Sequence, residues 1–159
     1  MKDLLQNTVP VLEPWMSSED LDKGTLWANE LARALKSTPI GVICLTPENL
    51  RSPWILFEAG ALYRAIESSR VCPLLHQVQP QQLEGPLQQF QSSTLAKDDL
   101  RRLLRTIKNV LGSKPPEWTF IEKAFNEWQW PIFENRIKDL NSAAAPVAQS
   151  DQHLPTQLR

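Results

Sequence analysis

The stretch Ile40–Leu62 reads IGVICLTPENLRSPWILFEAGAL and is the best guide to the architecture of the chain. It opens with an apolar run, Ile40–Leu45, that is rich in β-branched side chains and typical of a strand buried in a parallel sheet. Ser52 and Pro53 then supply a helix N-cap and a first-turn proline, and the apolar spacing beyond them is helical. The stretch therefore predicts a strand, a loop and a helix in that order.

Glu58 is the candidate catalytic residue of this stretch. The loop before its helix lies at the carboxyl end of the strand, where open α/β sheets bind their ligands. Glu58 follows Trp54 by four residues, so both side chains lie on one face of the helix. A carboxylate beside an aromatic ring at that position is a candidate for a catalytic or binding role. Position alone favours the alternative, a solvated helix carboxylate paired with Arg51 or Arg64.

Strands and helices alternate on both sides of this stretch. Upstream, Val9–Met16 predicts a short strand or extended segment broken by prolines, and Gly24–Ser37 predicts an amphipathic helix. Downstream, Val71–Leu75 predicts the next buried strand, and Lys97–Leu111 predicts a helix that ends at Gly112. This alternation indicates βαβ units and a parallel sheet.

The C-terminal part of the chain predicts one more helix and a tail. The helical pattern runs from Glu117 to Leu140, and Pro131 within it is expected to kink the helix or split it in two. Residues 141–159 contain almost nothing to bury and are expected to be disordered. The folded domain is therefore expected to span residues 1–140.

Composition argues against several classes of function. The 159 residues are 42% hydrophobic and 22% charged, as in one globular domain of ordinary size. A net charge of −1 and a pI of about 6.1 provide no basic surface for nucleic acid or anionic lipid. No apolar run approaches the length of a membrane span and no leader is visible, so we expect a cytoplasmic protein without membrane contact.

The cysteines and histidines suggest neither a disulfide nor a metal site. Cys44 and Cys72 both fall within apolar strand-like runs, so buried, reduced thiols are expected at both positions. The two cysteines and two histidines of the chain are widely scattered and show no metal-ligand spacing. We therefore expect no bound metal.

Four segments together resemble the bacterial branch of the Toll/interleukin-1 receptor (TIR) domains. They are WMSSEDLDKGTLW (15–27), GVICLTPENLRSPWILFEAGAL (41–62), RVCPLL (70–75) and GPLQQFQ (85–91). The most specific element is Trp54-x-x-x-Glu58 directly behind Ser52-Pro53. The likeness covers residues 9–112, and the helical pattern that follows also fits it.

The resemblance implies a flavodoxin-like fold, in which helices cover both faces of a parallel sheet in three layers. Many members of the family cleave the nicotinamide–ribose bond of NAD+, and the resemblance places Glu58 at their catalytic glutamate. NAD+ is then the substrate, and no separate cofactor is implied. The segment Trp15–Gly24 corresponds to the loop through which family members admit nucleotide and self-associate. Such domains often deplete NAD+ in bacterial defence.

Five residues besides Glu58 are candidates for substrate binding, and each has a simpler structural interpretation. Trp54 would stack on a nucleotide ring, or else anchor the first turn of its helix. Asn49 and Ser52 line the strand-to-helix turn and would contact ribose or phosphate, or else cap that turn. Asp22 and Lys23 would contact phosphate or a neighbouring protomer, or else be solvated.

The chain departs from the family pattern at its start. The family opens with a strand and a helix, whereas Met1–Thr8 resembles the end of the first helix. In the flavodoxin-like order the missing strand belongs in the middle of the sheet, which leaves unpaired backbone groups beside Val9 and Ile40. Three explanations stay open: the flanking strands close up directly, the true start lies upstream, or the chain is a decayed fragment. We expect a truncated or misassigned start that lacks the first strand and most of the first helix.

Three hypotheses about function follow. The first is an NAD+ glycohydrolase that acts in bacterial defence signalling with Glu58 as the catalytic residue. The second is a catalytically inactive TIR module that assembles through the Trp15–Gly24 loop. The third is an enzyme similar to the nucleoside deoxyribosyltransferases, which use a related fold and one glutamate; the SSED and LTPENL segments fit it less well.

Overall fold

The computed structural model describes residues 1–14, 39–51 and 70–143. Two predicted helices, Gly24–Ser37 and the one that carries Trp54 and Glu58, lie outside these ranges, and so do residues 144–159. Within the described ranges, no helix is both long enough and apolar enough to cross a membrane.

A parallel sheet forms the centre of the described structure. Its strands are β1 (Ile40–Leu45), β2 (Arg70–Leu75) and β3 (Ser93–Thr94), and they lie side by side in the order β1-β2-β3. β1 pairs with β2 along its whole length, from Ile40 opposite Arg70 to Leu45 opposite Leu75. β3 pairs only with the last two residues of β2. The first two strands confirm the sequence prediction, whereas β3 was not predicted.

Pro73 fits in the middle of β2 because its missing N–H falls on the β3 side. The N–H of His76 donates to the carbonyl of Leu45 at 2.9 Å, so the backbone groups of His76 point towards β1. Alternate residues of a strand point to the same neighbour, and Pro73 is therefore directed towards β3. β3 pairs only with Leu74 and Leu75, so Pro73 removes no hydrogen bond from the sheet.

Helices surround the sheet. They are α1 (Lys2–Thr8), α2 (Lys97–Leu111), α3 (Trp118–Lys123), a π-helix (Ala124–Gln129) and α4 (Trp130–Ala143). Two short 3₁₀ helices, Pro80–Gln82 and Gly85–Gln89, lie between β2 and β3. The bounds of α2 agree with the sequence prediction. It ends at Gly112, whose φ of 69° falls in the left-handed region that favours glycine.

A hydrophobic cluster lies on each face of the sheet. Adjacent residues of a strand point to opposite faces, and Leu74 and Leu75 accordingly belong to different clusters. The first cluster joins the sheet to the helices, and its buried members are Leu4, Val9, Leu74, Leu100, Leu103, Leu104, Ile107, Ile121 and Phe125. The second joins the sheet to the segment after β2, and its buried members are Leu45, Leu75, Val78, Leu83 and Leu87. A parallel sheet packed on both faces confirms the predicted α/β, flavodoxin-like architecture.

The strand or extended segment predicted for Val9–Met16 does not form a strand over its described residues. Residues 9–11 make a turn, in which the N–H of Leu12 donates to the carbonyl of Val9 at 2.9 Å. Val9 is fully buried in the first cluster, so burial of its side chain rather than strand pairing accounts for its apolar character. The flanking strands therefore do not close up directly through residues 9–14.

A π-helix accommodates Pro131 within the C-terminal helical segment. Proline lacks an N–H, and its ring clashes with the carbonyl four residues earlier in an α-helix. For Pro131 that carbonyl belongs to Glu127, which lies within the π-helix, where the backbone takes a wider turn. The helical path is unbroken from α3 through the π-helix into α4, so the helix is not split in two, and the irregular turns lie just before Pro131. α4 then continues to Ala143, so the first three residues of the predicted tail are helical.

The prediction of a buried thiol at Cys44 is wrong. Its side chain is exposed, while Cys72 is half-buried, and both thiols are reduced. Cys44 lies in β1, where the sequence pattern suggested a strand covered on all sides. In the described structure only Leu45 of β1 is fully buried, whereas Ile40–Ile43 are half-buried and Cys44 is exposed.

Candidate functional site

The carboxyl ends of β1, β2 and β3 meet at one edge of the sheet because the three strands are parallel. This is the edge at which open α/β sheets bind ligands. The hydrogen bond from the N–H of His76 to the carbonyl of Leu45 holds the chain after β2 against the end of β1. The loops that follow the two strands are thereby fixed next to each other.

The turn after β1 is held together by its own hydrogen bonds. The N–H groups of Asn49 and Leu50 both donate to the carbonyl of Thr46, at 3.2 and 2.9 Å. Leu50 is half-buried and packs against the second hydrophobic cluster. The turn is thus closed by backbone bonds and anchored to the core at its far end, which fixes the direction in which the chain leaves it.

Asn49 uses both ends of its side-chain amide within this turn. Its Oδ1 accepts a hydrogen bond from the N–H of Thr46 at 2.8 Å, and its Nδ2 donates to the carbonyl of Cys44 at 3.1 Å. These bonds satisfy two backbone groups at the end of β1. The geometry gives Asn49 the capping role that the sequence offered as the simpler account. Its contact with ribose or phosphate stays a prediction.

Glu48 places a negative charge at this edge. Its pKa lies below the ordinary value of a glutamate, chiefly because the side chain of Thr46 donates a hydrogen bond to the carboxylate. The backbone N–H of Glu48 and the nearby charge of His76 also lower this pKa. Glu48 is exposed and therefore ionised at neutral pH. His76 lies close enough to Glu48 for the two side chains to interact electrostatically.

The chain after β2 makes a sharp change of direction at Gln77. Its φ of 56° is in the left-handed region, an uncommon conformation for a residue other than glycine. The side chain of Gln77 donates from Nε2 to Oδ1 of Asn141 at 3.1 Å, which ties this loop to the end of α4. The next residue, Val78, is buried in the second cluster. His76 is therefore held between the sheet and an anchored loop.

Asp99 connects the end of β3 to α2. Its Oδ2 accepts hydrogen bonds from the N–H and the hydroxyl of Thr94, at 3.0 and 2.7 Å. These two bonds hold the pKa of Asp99 below its ordinary value, and the positive charge of Arg102 adds to the effect. The carboxylate is engaged in fixing the β3–α2 connection.

The thiol of Cys44 is a poor candidate for a nucleophile in this arrangement. Burial by the surrounding protein raises the pKa of the thiol, and the positive amino terminus of Met1 opposes this only in part. Protein atoms around the thiol desolvate it, although part of the side chain is in contact with solvent. A thiol with a raised pKa is protonated at neutral pH and reacts poorly.

The structure brings together one of the six predicted site residues, Asn49, with two groups that the sequence analysis did not select. These are Glu48 and His76. Their positions in the segments that follow two neighbouring strands could have identified them in the sequence. The other five predicted residues lie outside the described ranges, as does the Trp15–Gly24 loop; they are Glu58, Trp54, Ser52, Asp22 and Lys23. In residues 1–14, 39–51 and 70–143, no three His, Cys, Asp or Glu side chains are grouped so as to hold a metal.

Comparison with known proteins identifies one family. The family model described as the TIR domain matches residues 2–105, which is more than half of the chain. A search of curated proteins finds no match.

Proposed function

Because the chain belongs to the TIR domain family, we propose that it is an NAD+ glycohydrolase that cleaves the bond between nicotinamide and ribose. Glu58 is the proposed catalytic residue. NAD+ is the substrate, and the reaction takes place in the cytoplasm as part of bacterial defence signalling. The family match carries this proposal, since it covers the Trp54-x-x-x-Glu58 element and both strands that flank it.

The chemistry requires one well-placed carboxylate. Nicotinamide leaves as a neutral molecule from a positively charged ring, so its departure needs no general acid. The ribose carbon left behind develops positive charge, as the sugar does in glycoside hydrolysis. Glu58 would stabilise that charge, hold a ribose hydroxyl or attack the carbon. A partly apolar setting beside Trp54 would strengthen its electrostatic effect.

The turn after β1 supports this assignment. It lies at the carboxyl edge of the sheet and is closed by four hydrogen bonds at 2.8 to 3.2 Å. The chain leaves this turn at Arg51, only a few residues before Trp54 and Glu58. A rigid turn at this point limits where the following helix can begin, which a catalytic carboxylate requires.

Glu48 and His76 extend the proposed site. Glu48 is ionised, and its negative charge would orient the positively charged nicotinamide ring of a bound substrate towards this edge of the sheet. His76 would interact with a phosphate or a ribose hydroxyl of the same substrate. Ser52, Trp54, Asp22 and Lys23 keep the substrate-binding roles that the resemblance implies.

An assembly module without catalytic activity is the second candidate. The observation that favours it is the incomplete covering of β1, in which Leu45 is the only buried residue. A TIR domain that assembles with further copies through the Trp15–Gly24 loop would use its fold as a scaffold. Neither candidate involves nucleic acid or a membrane as a partner.

Turnover of a fluorescent NAD+ analogue by purified protein tests the proposal. Replacement of Glu58 by Gln removes the charge at nearly constant shape, and we expect it to reduce kcat by about 100-fold or more. Glu127→Gln is the matched control, because Glu127 is an exposed carboxylate in the π-helix.

Each outcome of this experiment separates the candidates. Activity in the wild type and in Glu127→Gln, together with its loss in Glu58→Gln, supports the glycohydrolase. Concentrated protein that releases no nicotinamide supports the assembly module. Equal activity in wild type and Glu58→Gln would remove Glu58 from the mechanism.

A further inference from the structure

Helix α4 is attached to the rest of the described structure differently at its two ends. At its start, Trp130 and Phe133 pack against the first hydrophobic cluster. Beyond Phe133 no residue of α4 is fully buried, and Ile137 is half-buried. Arg136 pairs with Asp3 of α1 at 3.1 Å, and both side chains are more than half exposed. The start of α4 is therefore held by apolar packing, and its later turns are held by polar contacts close to solvent.

The last polar contact of α4 reaches the loop that carries His76. Nε2 of Gln77 donates to Oδ1 of Asn141 at 3.1 Å, and the two residues are 64 positions apart in the chain. Trp130, Ile137 and Asn141 follow one another at intervals of seven and four positions, which places them on one face of the helix. The face that is apolar at the start of α4 thus ends in an amide bonded to the loop after β2.

Gln77 has a backbone conformation that residues other than glycine seldom adopt. Its φ is 56°, in the left-handed region. On one side, the N–H of His76 donates to the carbonyl of Leu45 at 2.9 Å, and on the other side Val78 is only 4% exposed. Such a conformation persists only where the surroundings hold it. The bond to Asn141 is a restraint on the side chain of Gln77 itself.

The two neighbours of Gln77 do not resist a change of its backbone equally. Val78 is packed in the second cluster, so moving it would expose apolar surface. His76 is held to β1 by the hydrogen bond to Leu45, just beyond the last paired residue of β2. A change of Gln77 to a common backbone conformation would therefore move His76. Because His76 interacts with the charge of Glu48, its place at the carboxyl edge depends on Gln77.

We propose that Gln77 and Asn141 form a latch through which the end of α4 positions His76 in the candidate site. With the latch closed, Gln77 keeps its left-handed conformation and His76 stays beside Glu48. With the latch open, Gln77 relaxes and His76 leaves that position, which weakens the binding of NAD+. The effect on NAD+ rests on the proposed function, whereas the effect on His76 does not. Asn141 is a positioning residue, because it acts through Gln77.

The latch makes the site responsive to the attachment of α4. An exposed hydrogen bond between two neutral side chains is one of the weaker contacts in a protein, and an exposed ion pair such as Arg136–Asp3 adds little to it. The last turns of α4 can therefore leave the surface while Trp130 and Phe133 stay packed on the core. Displacement of these turns would lower the affinity of the site without unfolding the domain.

Nuclear magnetic resonance of His76 tests the latch without reference to any reaction. The chain has two histidines, His76 and His153, so a His153→Gln background leaves one imidazole to observe. In this background we expect Asn141→Ala to shift the ring signals of His76. Ser142→Ala is the matched control and should leave them in place, because the hydroxyl of Ser142 donates to the carbonyl of Lys138 within the same helix at 2.9 Å.

A second background tests whether Asn141 acts through Gln77. Gln77→Gly removes the side chain that bonds to Asn141, and glycine adopts the left-handed conformation without strain. We therefore expect Asn141→Ala to cause no further shift of the His76 signals when it is combined with Gln77→Gly. Thermal unfolding of each variant shows that it is folded.

Calorimetric titration with NAD+ tests the link to the proposed site. The full chain with Glu58→Gln is used, so that the ligand is not consumed during the titration. We expect Asn141→Ala to raise the dissociation constant of NAD+ by about threefold or more, and Ser142→Ala to leave it unchanged. In the Gln77→Gly background, Asn141→Ala should have no further effect.

Each contrary result has a separate meaning. The latch is overturned if Asn141→Ala leaves the His76 signals unchanged, or if it shifts them equally in the Gln77→Gly background. A shift of His76 without any change in the affinity for NAD+ overturns the link between the latch and the site. A chain that binds no NAD+ in any form contradicts the proposed function, and the His76 signals then decide on the latch alone.

Discussion

Asn49 illustrates how one polar residue can hold a turn through both ends of its side-chain amide. Its amide satisfies one N–H and one C=O at the end of β1. The same residue type at the carboxyl end of a strand is also what a nucleotide-binding loop would use. Residue identity alone does not distinguish these roles, and the hydrogen bonds show that Asn49 performs the first of them.

Replacement of Asn49 should therefore reduce stability by an amount that depends on how many of its two hydrogen bonds the variant loses. Asn49→Ala loses both hydrogen bonds and is expected to lower the free energy of unfolding by about 1–3 kcal/mol. Asn49→Asp keeps the acceptor for Thr46 but cannot donate to Cys44, and we expect an intermediate loss. Urea denaturation monitored by circular dichroism measures both. Equal losses for the two variants would contradict the separate roles of Oδ1 and Nδ2.

Asp99 should make the stability of the fold dependent on pH. The bonds from Thr94 hold the pKa of Asp99 below its value in the unfolded chain. The stabilisation is therefore fully present above the unfolded pKa of about 4, and it is lost as pH falls through the lower folded pKa.

Denaturation of wild type and Asp99→Asn between pH 6 and pH 2 tests this dependence. We expect Asp99→Asn to be less stable than wild type near neutral pH, because it loses a charge-assisted interaction. The difference should narrow in acid, where the wild-type carboxylate is protonated. A constant difference over the whole pH range would show that Asp99 acts through packing and not through its charge.

At the scale of the element, the π-helix shows how a local irregularity serves packing. It lies between α3 and α4 and carries Phe125, which is fully buried in the first cluster. Its wider turn removes the conflict between Pro131 and the carbonyl of Glu127. The helical path therefore continues from α3 into α4 without a break.

Phe125 of the π-helix and Phe120 of the preceding α3 provide a matched pair of variants for testing how this segment packs. Phe125→Ala should lower the free energy of unfolding by about 3–5 kcal/mol, because it leaves a cavity in the core. Phe120 is 47% exposed, so Phe120→Ala should cost less than about 1 kcal/mol. Chemical denaturation of both variants checks the difference. Similar losses would contradict the inward position of the Phe125 ring and the outward position of the Phe120 ring.

At the scale of the whole molecule, one strand supports both halves of the core. Leu74 and Leu75 are neighbours in β2, yet they belong to the clusters on opposite faces of the sheet. The two clusters therefore cannot separate without the loss of β2, and the described domain should unfold as one cooperative unit.

Leu74→Ala and Leu75→Ala test this cooperativity. Each should lower the free energy of unfolding by about 2–5 kcal/mol, since each leaves a cavity beside a side chain that is 2% exposed. Calorimetry should show one transition for both variants, shifted to lower temperature. A separate early transition in only one of them would indicate that the two faces unfold independently.

Sequence reasoning worked best where a periodic pattern was long or strongly apolar. The helix Lys97–Leu111 has the predicted bounds because its side chains alternate between core and solvent at the helical spacing. The strand Ile40–Leu45 has them because it is apolar throughout. Ser93–Thr94 was not predicted, since a two-residue strand has no period to detect. Val9 suggested a strand because apolar character alone does not distinguish a buried turn from a strand.

The sequence by itself determined the α/β class, the TIR family and the order of the described strands and long helices, because these depend on local spacing and motifs. Only the tertiary structure decided that Asn49 closes its own turn, that Glu48 lies near His76, and that the side chain of Cys44 is exposed. Each of these facts depends on which strands lie side by side. Contacts between residues distant in sequence are fixed by packing, and the local pattern does not contain them.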